Sequence, residues 1–189
     1  MRRVLLLLPL VLVGCGGGPR QDADEPSGTF KVEVVSASFP KRQHIAERVQ
    51  LKVRVRNADR RDLRNVAVTI QTTPKAGDAA VAFGQNERGA ELASAGRPVW
   101  LLDSGPKGAD TAYVNTWSAG LLKAGETREL TWSLTPAKAG TYTIGYRVAP
   151  GLTGRAHAAR GRTSGSFNVV IIDQPVPARV GDHGQVERG

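Results

Sequence analysis

The sequence is poor in the residues that form covalent or metal cross-links. Its 189 residues include one cysteine, Cys15, and three widely separated histidines, His44, His157 and His183. A single thiol excludes an internal disulfide, and the histidines lack the paired spacing of a zinc site. We therefore predict no metal and no other cofactor. A folded part of this size can be held together by hydrophobic burial alone.

Catalytic motifs are also missing. The chain has no Gly-x-Ser-x-Gly segment, and none of its histidines stands in a context typical of a general base. The segment Gly120–Gly125 has the glycine spacing of a phosphate-binding loop, but Glu126 stands where that loop needs lysine. We predict a protein without enzymatic activity. The alternative is an envelope hydrolase with paired carboxylates, whose candidate acids are Asp103, Asp110, Glu126 and Glu129.

The N-terminal segment has the order of a secretion signal. Arg2 and Arg3 give it a positive start, and the apolar run Val4–Val13 follows. As a helix this run is about 15 Å long, which is half of the roughly 30 Å hydrocarbon core of a bilayer. It is too short to span a membrane stably. We therefore predict that residues 1–14 are a cleaved signal peptide.

The signal ends in Leu12-Val13-Gly14-Cys15, which resembles the lipobox of bacterial lipoproteins. The resemblance implies that Cys15 carries a diacylglyceryl group, with palmitate-like chains, and becomes the first residue of the mature chain. Two or three acyl chains anchor a protein stably, because each buried methylene contributes about 0.8 kcal/mol. We expect the extracytoplasmic face of the cell membrane, or an outer membrane if the host has one, since Gly16 replaces the aspartate of inner-membrane retention. The alternative is an ordinary signal peptide with an incidental cysteine.

The mature chain divides into three parts by composition. Residues 15–28 are polar and glycine-rich without an apolar cluster, so we predict a flexible tether. Residues 29–173 alternate apolar and polar positions, which is typical of strands with one buried face. Residues 174–189 are predicted to be a flexible C-terminal tail. The predicted strands centre on Phe30 to Val34, Leu51 to Val55, Val66 to Ile70, Leu130 to Leu134, Tyr142 to Val148 and Ser166 to Ile172.

Many short strands without intervening helices predict an all-β, immunoglobulin-like antiparallel β-sandwich, with a closed barrel as the alternative. The segment Ala139-Gly140-Thr141-Tyr142 resembles the tyrosine corner of immunoglobulin-like folds. Residues 51–57 and 63–70, with Gly125-Glu126-Thr127 later in the chain, resemble bacterial immunoglobulin-like domains of the cell-adhesion-related (CARDB) type. That resemblance implies an extracellular spacer or binding module without shared catalytic residues.

A long mid-domain insertion, Pro74 to Ser118, departs from the CARDB pattern. Insertions of this length are often functional. Within it, Trp100 lies in an apolar stretch, so we interpret it as core packing of an extra strand. Trp117 has polar neighbours in Asn115-Thr116-Trp117-Ser118, and it is a candidate binding residue as well as a candidate core residue.

The chain is basic, with a formal net charge of +9, to which the signal residues Arg2 and Arg3 contribute two charges. Positive residues concentrate in the loop that carries Arg155, Arg160 and Arg162, and in the outward row of the strand at residues 51–57. These positions could bind an anionic cell-wall polymer or lipid headgroups, or form a solvated face. We predict a binding or scaffold module of the cell envelope, tethered to the membrane by its lipid. Nucleic acid is not an expected partner, since export separates the domain from it and no basic motif interleaved with aromatics is present.

Overall fold

The computed structural model describes residues 21–73, 83–84, 98–180 and 185–188. The predicted signal peptide, Cys15 and most of the predicted insertion's first half lie outside these ranges. Within them the chain forms strands and no helix, so no apolar helix of bilayer-spanning length occurs there. The strands are β1 (Gly28–Phe30), β2 (Val32–Ser38), β3 (Arg42–His44), β4 (Val49–Asn57), β5 (Ala67–Thr73), β6 (Phe83–Gly84), β7 (Trp100–Lys107), β8 (Asp110–Tyr113), β9 (Thr116–Ser118), β10 (Thr127–Pro136), β11 (Gly140–Ala149), β12 (Ala156–Ala158), β13 (Ser164–Ile172), β14 (Ala178–Val180) and β15 (Val186–Arg188).

Two sheets form the body of the molecule. One has the strand order β2-β4-β10-β7-β6, and the other has the order β3-β13-β11-β5-β9-β8. The long central pairings are antiparallel, whereas the short strands β3 and β6 pair in parallel at an edge or near it. Each sheet keeps two separate edges among the described strands, so the body is a sandwich and not a closed barrel. The predicted immunoglobulin-like β-sandwich is confirmed.

The alternation in the sequence places the core between the sheets. In β4 the side chains of Val49, Leu51, Val53 and Val55 are buried, while Arg54 and Arg56 on the opposite face are exposed. Successive strand residues point to opposite faces, so one stripe of valine and leucine fills the interior and one stripe of basic residues meets solvent.

Aromatic side chains from both sheets interlock at the centre of the core. The indole of Trp100 on β7 lies 5.8 Å from the ring of Tyr142 on β11, measured between ring centroids. Trp132 on β10 makes an edge contact with Trp117 on β9 at 5.3 Å. Trp100 is fully buried, which confirms its interpretation as core packing of an extra strand. Its Nε1 donates a 2.7 Å hydrogen bond to Oε1 of the buried Gln43.

The tyrosine corner is present. The hydroxyl of Tyr142 donates a hydrogen bond of 2.9 Å to the carbonyl oxygen of Ala139. Gly140 between them has a φ of 144°, and a Cβ there would lie 3.0 Å from the Tyr142 hydroxyl oxygen. The corner therefore needs glycine at this position, both for the backbone conformation and for space.

The second half of the predicted insertion is part of both sheets. Strand β7 pairs with β10, and the hairpin of β8 and β9 extends the other sheet beyond β5. Residues 74–82 and 85–97 of the insertion lie outside the described residues.

The segment before β1 differs from the predicted flexible tether. Asp22 and Glu25 are 6% exposed, and the Glu25 carboxylate accepts four hydrogen bonds from Asn65, Leu152 and Thr153. A carboxylate with this many donors is stable in a buried place, because the donors replace its lost water. Strand β1 then pairs in parallel with β12. The part of residues 15–28 that the structure describes is therefore attached to the sandwich.

The described part of the C-terminal segment contains two short strands. Strands β14 and β15 pair antiparallel, with Ala178 opposite Arg188 and Val180 opposite Val186. This small sheet is separate from the two sheets of the sandwich.

Candidate functional site

A shallow basic cleft lies on the outer face of the five-stranded sheet. Arg54 and Arg56 reach it from β4, because they occupy alternate positions on the exposed side of that strand. Arg162 reaches it from the connection between β12 and β13. The cleft has a volume of about 500 Å³, and its other lining residues include Glu33 and Thr127. We name it the arginine cleft.

The backbone fixes the third arginine beside the other two. The N–H of Val34 on the edge strand β2 donates a 2.7 Å hydrogen bond to the carbonyl oxygen of Arg162. A β-bulge at Val35 interrupts the pairing of β2 with β4 next to this point. Bulges redirect side chains at sheet edges, and here Val35 is left 41% exposed at the rim of the cleft.

The charges in the cleft are only partly compensated. Arg56 lies 3.5 Å from the Glu33 carboxylate, and both side chains are close to half exposed. Exposed pairs of this kind contribute about 0 to 1 kcal/mol, so a stronger anion can replace the carboxylate. The side chains of Arg54 and Arg162 have no hydrogen-bond or ion-pair partner among the described residues. Guanidinium groups bind phosphate and carboxylate groups with two parallel hydrogen bonds, so the cleft is suited to an anion.

The other two predicted arginines lie apart from the cleft. Arg155 is exposed, and its Nη2 is 3.4 Å from the carbonyl oxygen of Asp22. Arg160 is exposed in the connection between β12 and β13, and neither Arg155 nor Arg160 lines the cleft. The structure thus brings Arg162 together with Arg54 and Arg56, and directs Arg155 toward the N-terminal segment.

Trp117 requires a correction. Its side chain is 3% exposed and packs against Phe83 and Trp132, so it is a core residue and offers no ring to a surface ligand. Its polar neighbours are used within the fold, because Thr116 shares a hydrogen bond with Thr69 and Ser118 donates one to Asn65.

Two of the four candidate acids of the hydrolase alternative, Asp103 and Glu126, are held in hydrogen bonds within the fold. Asp103 accepts hydrogen bonds from the Thr135 hydroxyl, and the Lys123 N–H and the Arg128 guanidinium both donate to Glu126. The Lys123 hydrogen bond, followed by that of Arg128, holds the pKa of the Glu126 carboxyl below its usual value. A general acid needs a raised pKa, so this contact disfavours Glu126 in that role. Among the residues that the structure describes, no three His, Asp or Glu side chains are grouped to hold a metal ion.

Sequence reasoning missed the attachment of the N-terminal segment. Glu25 and Thr153 are 128 positions apart, and Tyr113 donates a 3.3 Å hydrogen bond to Asp22 from 91 positions away. No local pattern indicates such pairs. Their partners are set by the tertiary structure, in which β1 pairs with β12 and Tyr113 at the end of β8 contacts Asp22.

Comparison with known proteins gives similarity to solved structures only. No protein-family model and no curated protein matches the chain. It is similar to a CARDB domain from Pyrococcus furiosus, with 14% identity and a TM-score of 0.46 over 77% of this chain and 94% of that domain. It is also similar to a cohesin module of a family 33 glycoside hydrolase from Clostridium perfringens, with 12% identity and a TM-score of 0.44 over 77% of this chain and 99% of that module. The similar structures thus include the domain type that the sequence resembles.

Proposed function

We propose that this chain is a lipid-anchored lipoprotein on the extracytoplasmic side of the membrane, whose β-sandwich is a non-catalytic binding or scaffold module of the cell envelope. The observation that carries the proposal is the segment Leu12-Val13-Gly14-Cys15 directly after a short apolar run. The folded body supports it, because the described strands build a sandwich in which two of the candidate acids, Asp103 and Glu126, are held in surface contacts. The expected partner is an envelope protein or an anionic cell-wall polymer.

The anchor is tested by replacing the cysteine. In Cys15→Ser the thiol that takes the diacylglyceryl group is gone, so we expect the protein to leave the membrane fraction. The mass of the parent's N-terminal peptide should include the acyl chains, and that of the variant should not. Gly17→Ser is the matched control, because it changes the same segment and keeps the thiol. A Cys15→Ser protein that sediments with membranes as firmly as its parent, together with a parent lacking acyl mass, would refute the anchor.

The arginine cleft favours a more specific second candidate, the binding of an anionic polymer. Three guanidinium groups meet there, and two of them have no partner among the described residues. Linear inorganic polyphosphate serves as the probe. We expect its affinity to fall steeply as salt rises, because binding releases counterions.

A charge-matched comparison locates the binding. Arg54→Glu and Arg162→Glu should each weaken polyphosphate binding about tenfold or more, since a charged hydrogen bond contributes about 1.5 to 3 kcal/mol. Arg147→Glu carries the same charge change on an exposed position of β11, in the other sheet, and should weaken binding much less. Equal losses in all three variants would indicate attraction by net charge alone and would reject the cleft as the site.

A further inference from the structure

An exposed group of apolar and basic residues surrounds the first described residues of the chain. Val114 is 86% exposed at the turn between β8 and β9, and Tyr113 and Leu121 are each 49% exposed. Large hydrophobic residues this open are uncommon in the part of the chain that the structure describes. With Arg64 and Arg155 they form what we name the anchor-proximal surface.

Direct contacts link this surface to residues 21–24. The Tyr113 hydroxyl donates to the Asp22 carboxylate, and Arg155 donates to the Asp22 carbonyl oxygen. Arg64 lies 3.7 Å from the Asp24 carboxylate, with both side chains mostly exposed. Leu121 is next to Leu122, whose bridge with Leu63 places Leu121 beside Arg64.

The covalent chain holds this surface close to the lipid anchor. The Asn65 side chain donates a 2.8 Å hydrogen bond to the carbonyl oxygen of Gln21, which ties that residue to the sandwich. Gln21 is only six positions after Cys15. Since a fully extended chain spans at most 3.3 to 3.6 Å per residue, Gln21 can be no more than roughly 20 Å from Cys15. A longer tether would leave the orientation free, whereas this one brings residues 21–24 and their neighbours to the membrane.

Resting on the proposed lipid anchor, we propose that the anchor-proximal surface lies against the bilayer and that its partner is the anionic lipid headgroup region around the chain's own acyl groups. Val114 and Leu121 enter the interface, where their side chains leave water. Tyr113 suits the same depth, because its ring is apolar and its hydroxyl is polar. Arg64 and Arg155 face the lipid phosphates, and the exposed pair of Arg64 with Asp24 is weak enough to exchange for one.

The lone cysteine makes this contact measurable on the full-length lipidated protein. Lipid attachment consumes the Cys15 thiol, so a cysteine introduced elsewhere is the only free thiol for a fluorophore. We choose Val114→Cys and Leu121→Cys as probes and Val170→Cys as the control. Val170 is an exposed valine at 44% on β13, four strands from β8 and thus about 19 Å away along the sheet. All three positions are exposed, so labelling should leave the far-ultraviolet circular dichroism unchanged.

The labelled proteins are reconstituted into phosphatidylcholine vesicles with phosphatidylglycerol, with a nitroxide quencher on the lipid headgroup. We expect the labels at 114 and 121 to lose most of their fluorescence and the label at 170 to keep it. In vesicles without phosphatidylglycerol the quenching of the label at position 114 should be weaker. In Arg64→Gln the difference in quenching between the two kinds of vesicle should be smaller. Each basic residue at the surface accounts for a factor of about five in membrane affinity.

The outcomes separate this proposal from the anchor on which it rests. Equal quenching at all three positions, or none at any, in protein that floats with the vesicles and carries acyl mass would overturn the proposed orientation and leave the anchor standing. Protein without acyl mass that fails to float would overturn both.

Discussion

Two buried tryptophans in the same sheet should respond differently to the same substitution. Trp100 and Trp132 are both 0% exposed, and each loses the same atoms on replacement by phenylalanine. The Nε1 of Trp100 donates to the buried Oε1 of Gln43, whereas the Nε1 of Trp132 has no hydrogen-bond partner among the described residues. Trp100→Phe therefore leaves a buried acceptor without its donor. Trp132→Phe removes a buried donor that is unpaired.

The difference in unfolding free energy follows from these hydrogen bonds. An unsatisfied buried polar group costs about 1 to 3 kcal/mol, and the loss of packing is similar in the two variants. We therefore expect Trp100→Phe to destabilise the protein by about 2 kcal/mol more than Trp132→Phe. Urea unfolding followed by circular dichroism measures both, and an unchanged m-value shows that the difference lies in stability.

A double variant checks the cause. Trp100→Phe with Gln43→Leu removes both polar partners, so it should recover part of the stability lost in Trp100→Phe. The Gln43 amide also donates to the Pro40 carbonyl, which lies at an exposed residue where water can replace that donor. Equal losses for the two single variants, or a double variant less stable than Trp100→Phe, would refute the reasoning.

Three further substitutions follow from described contacts. Glu25→Ala should cost about 3 kcal/mol or more in urea unfolding, because one buried and two part-buried donors lose their acceptor. Asp24→Ala, at an exposed residue, should cost little. Two hydrogen bonds hold the pKa of the Asp59 carboxyl well below its usual value, the stronger from the Arg61 side chain and the weaker from the Lys31 N–H. The Asp59 carboxylate thus stabilises the fold at pH values above its unfolded pKa of about 3.9. The loss of unfolding free energy in Asp59→Asn should therefore be constant above about pH 5 and shrink as the pH falls. A loss that grows in acid would contradict this. Gly140→Ala should lower the unfolding free energy by about 1 to 3 kcal/mol, because φ is positive there and the new Cβ would crowd the Tyr142 hydroxyl. Gly105→Ala is the control and should leave stability unchanged, since no atom lies within 4 Å of a Cβ at that position.

Local patterns in the sequence were sufficient for the strands and insufficient for the partners of its loops. The alternation of β4 predicted which side chains face outward, and Arg54 and Arg56 do so because strand geometry alone determines it. Arg162 joins them only through the hydrogen bond of its carbonyl oxygen with Val34, far away in the chain. The polar neighbours of Trp117 suggested exposure, but Phe83 and Trp132 of the opposite sheet cover its ring.

The hidden attachment of Glu25 shows the same limit. Acidic residues in a glycine-rich segment favour solvent by composition, and the donors of Asn65, Leu152 and Thr153 make burial of Glu25 favourable. Such a network is a property of the assembled molecule. The apolar core could be predicted from the sequence, because an apolar side chain favours burial by itself and needs no particular hydrogen-bond partner.

The parallel pairing of β1 with β12 sets the order in which the molecule can be completed. The first strand finds its partner only after about four fifths of the chain has been made, since Gly28 pairs with Ala156. Pairings between segments so distant in sequence form slowly, because loop closure precedes any gain from contact. A ribosome-bound chain shorter than this cannot form the β1–β12 pairing. For the export proposed above, the β1–β12 pairing would form only after Ala156 has also crossed the membrane.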